Sequence, residues 1–365
     1  MYPRGLLIGL PVLLALIACN PTAQPGSGYA KSGTHATSSF NPLAGATPDP
    51  IWYQIFFTEP DSPSSSTLRG GPDAHLAEAI HQARLSVDIA MDSLDLWSLR
   101  DALLAAHRRG IAVRVVIESE GLESAEAQEL QENGIQVVDD RQEGLMHNKF
   151  AVIDRLEVWS GSMNFTLNGA YRSDNNLIRI RSADIAKDYL VEFEEMFLDH
   201  QFGPDSPANT PLPMVNVDGT PVEVYFSPDD GTMERVIELV KSAQESVLFM
   251  AYSFTDDDLA LAMIEAQNSG IEVAGVMDKA QALGNTGGEY PNLLEGGIDV
   301  RLDGNAKSMH HKVIIIDGQI VVTGSYNFSK SAKTRNDENT LILHSPEIAE
   351  LYIKEFDRVW EIAEK

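Results

Sequence analysis

The sequence predicts an α/β protein of two tandem lobes, each a mixed sheet covered by helices, with the lobes related by a pseudo-twofold axis. Three observations carry this. The chain repeats itself at a fixed offset. Each repeat alternates strand-like apolar runs with helical ones. A polar string, MHNKFAVID (Met146 to Asp154), returns almost unchanged as MHHKVIIID (Met309 to Asp317).

The repeat is extensive, and it constrains the fold before any local reading. A shift of 163 carries Met146, His147, Lys149, Ile153, Asp154, Gly161, Ser162, Asn164 and Phe165 onto identical residues, and also Arg172, Asp174, Asn176 and Phe193. Upstream, residues 90–118 parallel 250–278 at a shift of 160, so the three-residue change lies in a loop. Two equal halves in one chain suggest lobes that bring equivalent segments to a shared surface, in a protein that is monomeric with both lobes in one chain.

Residues 1–19 read as an export signal. Arg4 precedes thirteen apolar residues, Leu6 to Ala18, fewer than the roughly 20 a membrane-spanning helix needs. The run ends in Leu16-Ile17-Ala18-Cys19, and Cys19 is the only cysteine, so no disulfide forms within the chain. This ending resembles the lipobox of bacterial lipoproteins, which implies lipid on Cys19 and a protein held to a membrane surface of the bacterial envelope. Residues 20–50, rich in Pro, Ser, Thr, Gly and Ala, read as a flexible tether.

Lobe 1 spans residues 51–203. Trp52 to Thr58 is read as a strand, His75 to Arg84 as a helix and Ser86 to Met91 as a strand. Trp97 to Arg109 is a helix stopped by Gly110, and Ile111 to Ile117 a strand. Strands alternating with helices imply a parallel or mixed sheet with helices on both faces. His200 to Pro221 holds five prolines and few long apolar side chains, which places a linker at 204–221. Lobe 2, residues 222–365, opens on VEVYFSPDD.

The chain of 365 residues carries 54 acidic and 27 basic residues, a formal charge of -27. Proteins that track long nucleic acid show a basic face, and no cluster of Lys and Arg of that kind is present. Acidity still permits a local basic pocket gathered from distant parts of the chain.

The repeated string supplies such a pocket. Residues i and i+2 of a strand share a face, so His147 pairs with Lys149 and His310 with Lys312. Asp154 and Asp317 have the opposite parity and read as structural residues at the strand ends. A turn then runs back toward Ser162 and Asn164, or Ser325 and Asn327. A proton-transfer group, a fixed cation and small hydrogen-bonding groups on one face suit the oxygens of a phosphate. A lone His-x-Lys is usually nothing, but His-x-Lys-x4-Asp-x6-Gly-Ser-x-Asn occurring twice with identical spacing is specific.

These motifs resemble the paired HKD motifs of the phospholipase D superfamily, over residues 51–365. The resemblance implies a two-lobed α/β/α fold with one active site across the lobe interface, a phosphohistidine intermediate, and no metal or other cofactor. Phosphodiester displacement needs an in-line nucleophile, an acid for the leaving oxygen, and positive charge on the non-bridging oxygens. The catalytic set is then His147, Lys149, His310, Lys312 and Glu338, with Ser162, Asn164, Ser325 and Asn327 on the substrate phosphate. No spacing of metal ligands is evident.

Members of the superfamily carry an acidic residue that orients a catalytic histidine. Glu338 holds that position in the second half, whereas the first half has Asn175, beside an orienting Asp174. A carboxylate partner favours the proton-carrying role, which would make His310 the acid and base and His147 the nucleophile. The preferred substrate is a phospholipid headgroup, on the strength of the tether and the acidity. The compact lobes look more like the superfamily's nucleases and cardiolipin hydrolases than its large secreted phospholipases, which keeps a nuclease as the alternative. A phosphatidyltransferase and a non-catalytic envelope binding protein rank lower.

Overall fold

The computed structural model describes residues 51–141 and 144–364, which belong to one compact unit. The signal, the tether and Cys19 lie outside the described residues. Lobe 1 contributes β1 (Tyr53–Phe57), β2 (Ser86–Met91), β3 (Ala112–Ile117), β4 (Gln136–Asp139), β5 (Lys149–Ile153), β6 (Glu157–Gly161) and β7 (Asn176–Arg181). They form one sheet in the order β1-β7-β6-β5-β2-β3-β4. The β2, β3 and β4 pairs are parallel and the rest antiparallel.

Lobe 2 repeats this with β8 (Met214–Val217), β9 (Thr220–Ser227), β10 (Ser246–Ala251), β11 (Glu272–Met277), β12 (Asp299–Leu302), β13 (Lys312–Ile316), β14 (Ile320–Gly324) and β15 (Glu338–His344). Its order is β12-β11-β10-β13-β14-β15-β9-β8. Both sheets are mixed, as the alternation of elements predicts. The β8 strand lies inside the segment read as a linker, 204–221. Met214 and Asn216 are exposed and Val215 and Val217 buried, a period of two. Asp218 and Gly219 both have positive φ, the geometry that closes a two-residue hairpin.

Each sheet has its own outer core, and the inner faces of both sheets share a third. Phe150, Ile178, Tyr189 and Phe193 from lobe 1 lie in one cluster with Val313, Ile315, Tyr352 and Phe356 from lobe 2. Burying each such side chain contributes about 1.5–3 kcal/mol, so the lobes behave as one body. Polar pairs across the seam obey the repeat. Tyr189 donates to Asn339 Oδ1 (3.4 Å) while Tyr352 donates to Asn176 Oδ1 (3.2 Å). Ser160 and Thr323, again equivalent, donate to the same two amides at 2.5 and 3.0 Å.

Asp154 and Asp317 show why the strand-end aspartates recur. Each has left-handed φ. Asp154 accepts the backbone N–H groups of Arg84, Leu85 and Ser86 at 2.6–3.2 Å. Asp317 does the same for Gln244, Glu245 and Ser246 at 2.8–3.1 Å. They pin the turn that feeds β2 or β10 and do not reach the paired histidines. Burial alone would raise the Asp317 carboxyl, but the three N–H groups hold it below its usual value. Asp154→Ala or Asp317→Ala leaves these donors unpaired and is expected to destabilise the fold by about 1–3 kcal/mol, read as a lower urea midpoint. An unchanged midpoint contradicts this role.

Candidate active site at the lobe seam

The two motifs meet because each lobe's motif loop pairs with the other lobe. His147 N donates to Asp337 O (3.0 Å) and His310 N donates to Asp174 O (2.9 Å). Parallel bridges join Met146 with Asp337 and Met309 with Asp174. These main-chain contacts set each histidine facing residues of the opposite half. Gly161 and Gly324, with φ of 144° and 151°, end the return strands. A Cβ at either would strike the carbonyl of Asn176 or Asn339, so only glycine lets Ser162 and Ser325 sit where they do.

The carboxylate goes to the other histidine from the one expected. Glu338 Oε2 lies 2.7 Å from His147 Nδ1, across the seam, and does not orient His310. His310 Nδ1 instead faces two neutral oxygens, Asn175 Oδ1 at 3.0 Å and Ser162 O at 3.2 Å. Asn175 is thus the working counterpart of Glu338, a role not evident from its amide side chain. The reason is topological: each orienting residue follows the segment that crosses to the opposite lobe, so it serves the partner lobe's histidine.

The serines also differ from expectation. Ser162 Oγ donates to Asn175 Oδ1 (2.9 Å) and accepts from Asn176 N (3.1 Å). Ser325 Oγ donates to Glu338 Oε2 (2.7 Å) and accepts from Asn339 N (2.9 Å). Both are fully buried. They hold the residues that hold the histidines, and do not stand as phosphate ligands. Asn164 and Asn327 behave otherwise: the Oδ1 of each is buried with no hydrogen-bond partner. Asp174 is bound by Arg358 (2.5 Å) and Asn305 (2.7 Å), which makes it a seam residue. His311, next to His310, is turned away into the seam, against Glu355 (2.9 Å) and Asn176 (3.2 Å).

Lys149 and Lys312 are each 1% exposed. Lys149 Nζ donates to His147 O (2.7 Å) and lies 3.7 Å from Asp92. Lys312 Nζ donates to His310 O (2.9 Å), stands 3.2 Å from His310 Nε2 and lies 4.7 Å from the Tyr252 ring centroid. Burial pushes both lysines below their ordinary range, and Lys149 adds to the effect on Lys312. His310 is partly exposed but densely surrounded. Burial, and then the charges of Lys312 and Lys149, hold it well below an ordinary imidazole. Asp92 and Tyr252 escaped the sequence reading, although the repeat aligns them with each other at the shift of 160.

This is a two-lobed, paired-histidine site of the kind the HKD motifs imply. A protein-family profile described as "Cardiolipin synthase, PLD-like domain" matches residues 76–197 and 236–360, one block per lobe and more than half of the chain. The chain belongs to the phospholipase D superfamily.

Among known proteins, the chain is 31% identical to a mitochondrial cardiolipin hydrolase of Chlamydomonas reinhardtii over 137 residues, 38% of this chain and 61% of that protein. It is 34% identical to a phospholipase D of Rickettsia prowazekii over 133 residues, 36% of this chain and 64% of that one. The chain thus spans less than two thirds of the length of these relatives. The crystal structure of a phosphatidylserine synthase from Haemophilus influenzae matches 85% of this chain and 87% of its own, with a TM-score of 0.62 and 17% identity, a likeness of fold.

Proposed function

We propose that this protein is a metal-independent phosphodiester hydrolase that acts through a phosphohistidine, with phospholipid headgroups as its substrates. The observation that carries this is the pairing of His147 and His310 from separate lobes, over two buried lysines, with the Glu338 carboxylate on one imidazole. The names of the two relatives, a phospholipase D and a cardiolipin hydrolase, favour lipid. So does a net charge of -27, which repels long polyanions.

His147 remains the nucleophile, for a different reason from the one the sequence suggested. When Nε2 attacks phosphorus, a P–N bond forms and the imidazole becomes a cation for the lifetime of the intermediate. Glu338 on Nδ1 is placed to stabilise that charge where it develops. As the P–O bond breaks, the leaving oxygen takes a proton from His310 Nε2. His310 then accepts a proton from water as the water oxygen attacks phosphorus, the P–N bond breaks and His147 is regenerated. A group that gives and takes a proton in one cycle works best near the ambient pH, which fits neutral partners on Nδ1. In the free protein, His310 is held neutral. A bound phosphodiester anion offsets the lysine charges and lets it take up a proton.

The test is an assay of mature protein in EDTA against bis(p-nitrophenyl) phosphate, phosphatidylcholine, phosphatidylglycerol, and single- and double-stranded DNA. Lipid hydrolysis that persists in EDTA is expected. Activity that vanishes in EDTA and returns with a divalent ion overturns the mechanism, and cleavage of DNA alone makes the protein a nuclease. Phosphatidyl transfer to an added alcohol in place of water makes it a transferase.

We further propose that Cys19 carries lipid and anchors the protein in a bacterial envelope, on the support of the short apolar run ending in Leu-Ile-Ala-Cys. Cys19→Ala is expected to release soluble protein or leave an uncleaved precursor in cell fractions. Unchanged processing and membrane association would show that the anchor lies elsewhere.

A further inference from the structure

Besides the Asn175 and Glu338 pair, the two halves of the site differ in charge where β2 and β10 end. Immediately after β2, lobe 1 places Asp92; immediately after β10, lobe 2 places Tyr252. The Tyr252 ring packs 4.4 Å from the His310 ring, and its hydroxyl accepts from Gln281 (3.2 Å). Asp92 makes no such wall. Its carboxylate stands 3.7 Å from Lys149, and its side chain is 24% exposed while that lysine is 1% exposed. Burial would raise the Asp92 carboxyl, but the charges of Lys149 and Lys312 help hold it below its usual value. A partly exposed carboxylate thus stands beside one of the two lysines proposed to meet the phosphate.

An anion beside a phosphate subsite weakens the binding of any simple phosphodiester. It strengthens binding only when the substrate brings a positive group with it. Resting on the phosphodiesterase reading, we propose that Asp92 sets the charge preference of the site: it receives the ammonium of an amino-alcohol esterified to the phosphate and disfavours esters whose next group is anionic. A two-carbon spacer, as in ethanolamine or choline esters, lets the ammonium fold back beside the phosphate and reach this wall. In a polynucleotide the neighbouring group is a second phosphate, which the carboxylate repels.

The experiment compares kcat/KM of wild type, Asp92→Asn and Asp92→Glu, all as the full chain. The substrates are glycerophosphocholine and glycerophosphoglycerol in solution, phosphatidylethanolamine and phosphatidylglycerol in mixed micelles, and bis(p-nitrophenyl) phosphate. Wild type should prefer the cationic member of each pair. Asp92→Asn should reduce that preference by roughly tenfold or more, the effect of one charged hydrogen bond, and Asp92→Glu should restore part of it. Preference confined to the micelles points to the lipid surface, and preference in both formats to the headgroup itself. Either supports the inference, provided Asp92→Asn removes it. Equal losses on both members of a pair make Asp92 a mere counterion of Lys149 and overturn it, as does a wild type without preference. Failure of wild type to hydrolyse any of these esters, bis(p-nitrophenyl) phosphate included, overturns the phosphodiesterase reading as well.

Phosphocholine and glycerol 3-phosphate binding, measured by calorimetry on the same proteins, gives a readout that survives a loss of turnover. Selective weakening of phosphocholine in Asp92→Asn is expected, and parallel weakening of both ligands overturns the proposal.

Discussion

His310→Ala protein given a p-nitrophenyl phosphodiester at neutral pH is expected to accumulate a phosphoryl adduct on His147. A nitrophenolate leaves without a proton, so attack by His147 needs no acid. The following hydrolysis has lost the group that would deprotonate water, and it slows. On a phospholipid, whose alkoxide needs a proton, the same variant should turn over roughly 10²–10⁴-fold more slowly, the usual weight of general acid–base help. His147→Ala should form no adduct with either substrate. The measurement is intact-protein mass after a rapid quench at neutral or alkaline pH, because phosphohistidine is labile to acid. An adduct on His310 in the wild type reverses the two roles and keeps the chemistry. No adduct in any variant removes the covalent mechanism.

The fold was largely legible in the sequence, for a physical reason. A repeat at a constant shift forces both halves into one architecture, and a strand's period of two fixes which side of the motif faces the site. The apolar runs after Lys149 and Lys312 are the fully buried strands β5 and β13. The missed strand β8 had a signal, an Asp-Gly pair between short alternating stretches, hidden by the surrounding prolines.

Which residue partners which histidine across the seam was not legible. Glu338 lies in sequence after the His310 motif, and proximity along the chain suggested that it served that histidine. The main chain crosses the seam before residues 175 and 338, so each serves the opposite lobe. Gly-Ser-x-Asn read as four groups for one phosphate, yet the serines face inward because Gly161 and Gly324 draw the chain tightly against the neighbouring strand. Asp92 could have been found by aligning the halves and asking where they differ in charge.

Exchanging the partners of the two imidazoles should move the proton ledger of the site in opposite directions. Glu338 Oε2 is shared between His147 Nδ1 and Ser325 Oγ, both at 2.7 Å, and the residue is fully buried. Glu338→Gln keeps the shape and removes the charge proposed to stabilise a phosphohistidine. Adduct formation should slow on the order of 10²–10⁴-fold, similar to the loss when a histidine is deprived of its carboxylate in a hydrolase triad. Asn175→Asp does the reverse for His310, giving it the carboxylate it lacks and raising its pKa.

The sign of the effect follows from the free protein. Burial, Lys312 and Lys149 push wild-type His310 well below an ordinary imidazole, which disfavours its protonated form. Binding of tungstate, an anion that offsets the lysines, lifts its pKa, and the complex takes up a proton near pH 7. In Asn175→Asp, the added carboxylate favours a proton on His310 before the anion arrives, so the uptake should shrink. Titration calorimetry in two buffers of different ionisation heat reads this directly. Uptake that persists in His310→Ala belongs to another group, such as a lysine, and the proton-carrying role assigned to His310 fails. Uptake that is present in wild type, absent in His310→Ala and smaller in Asn175→Asp ties the proton to His310 and its control to the residue on Nδ1.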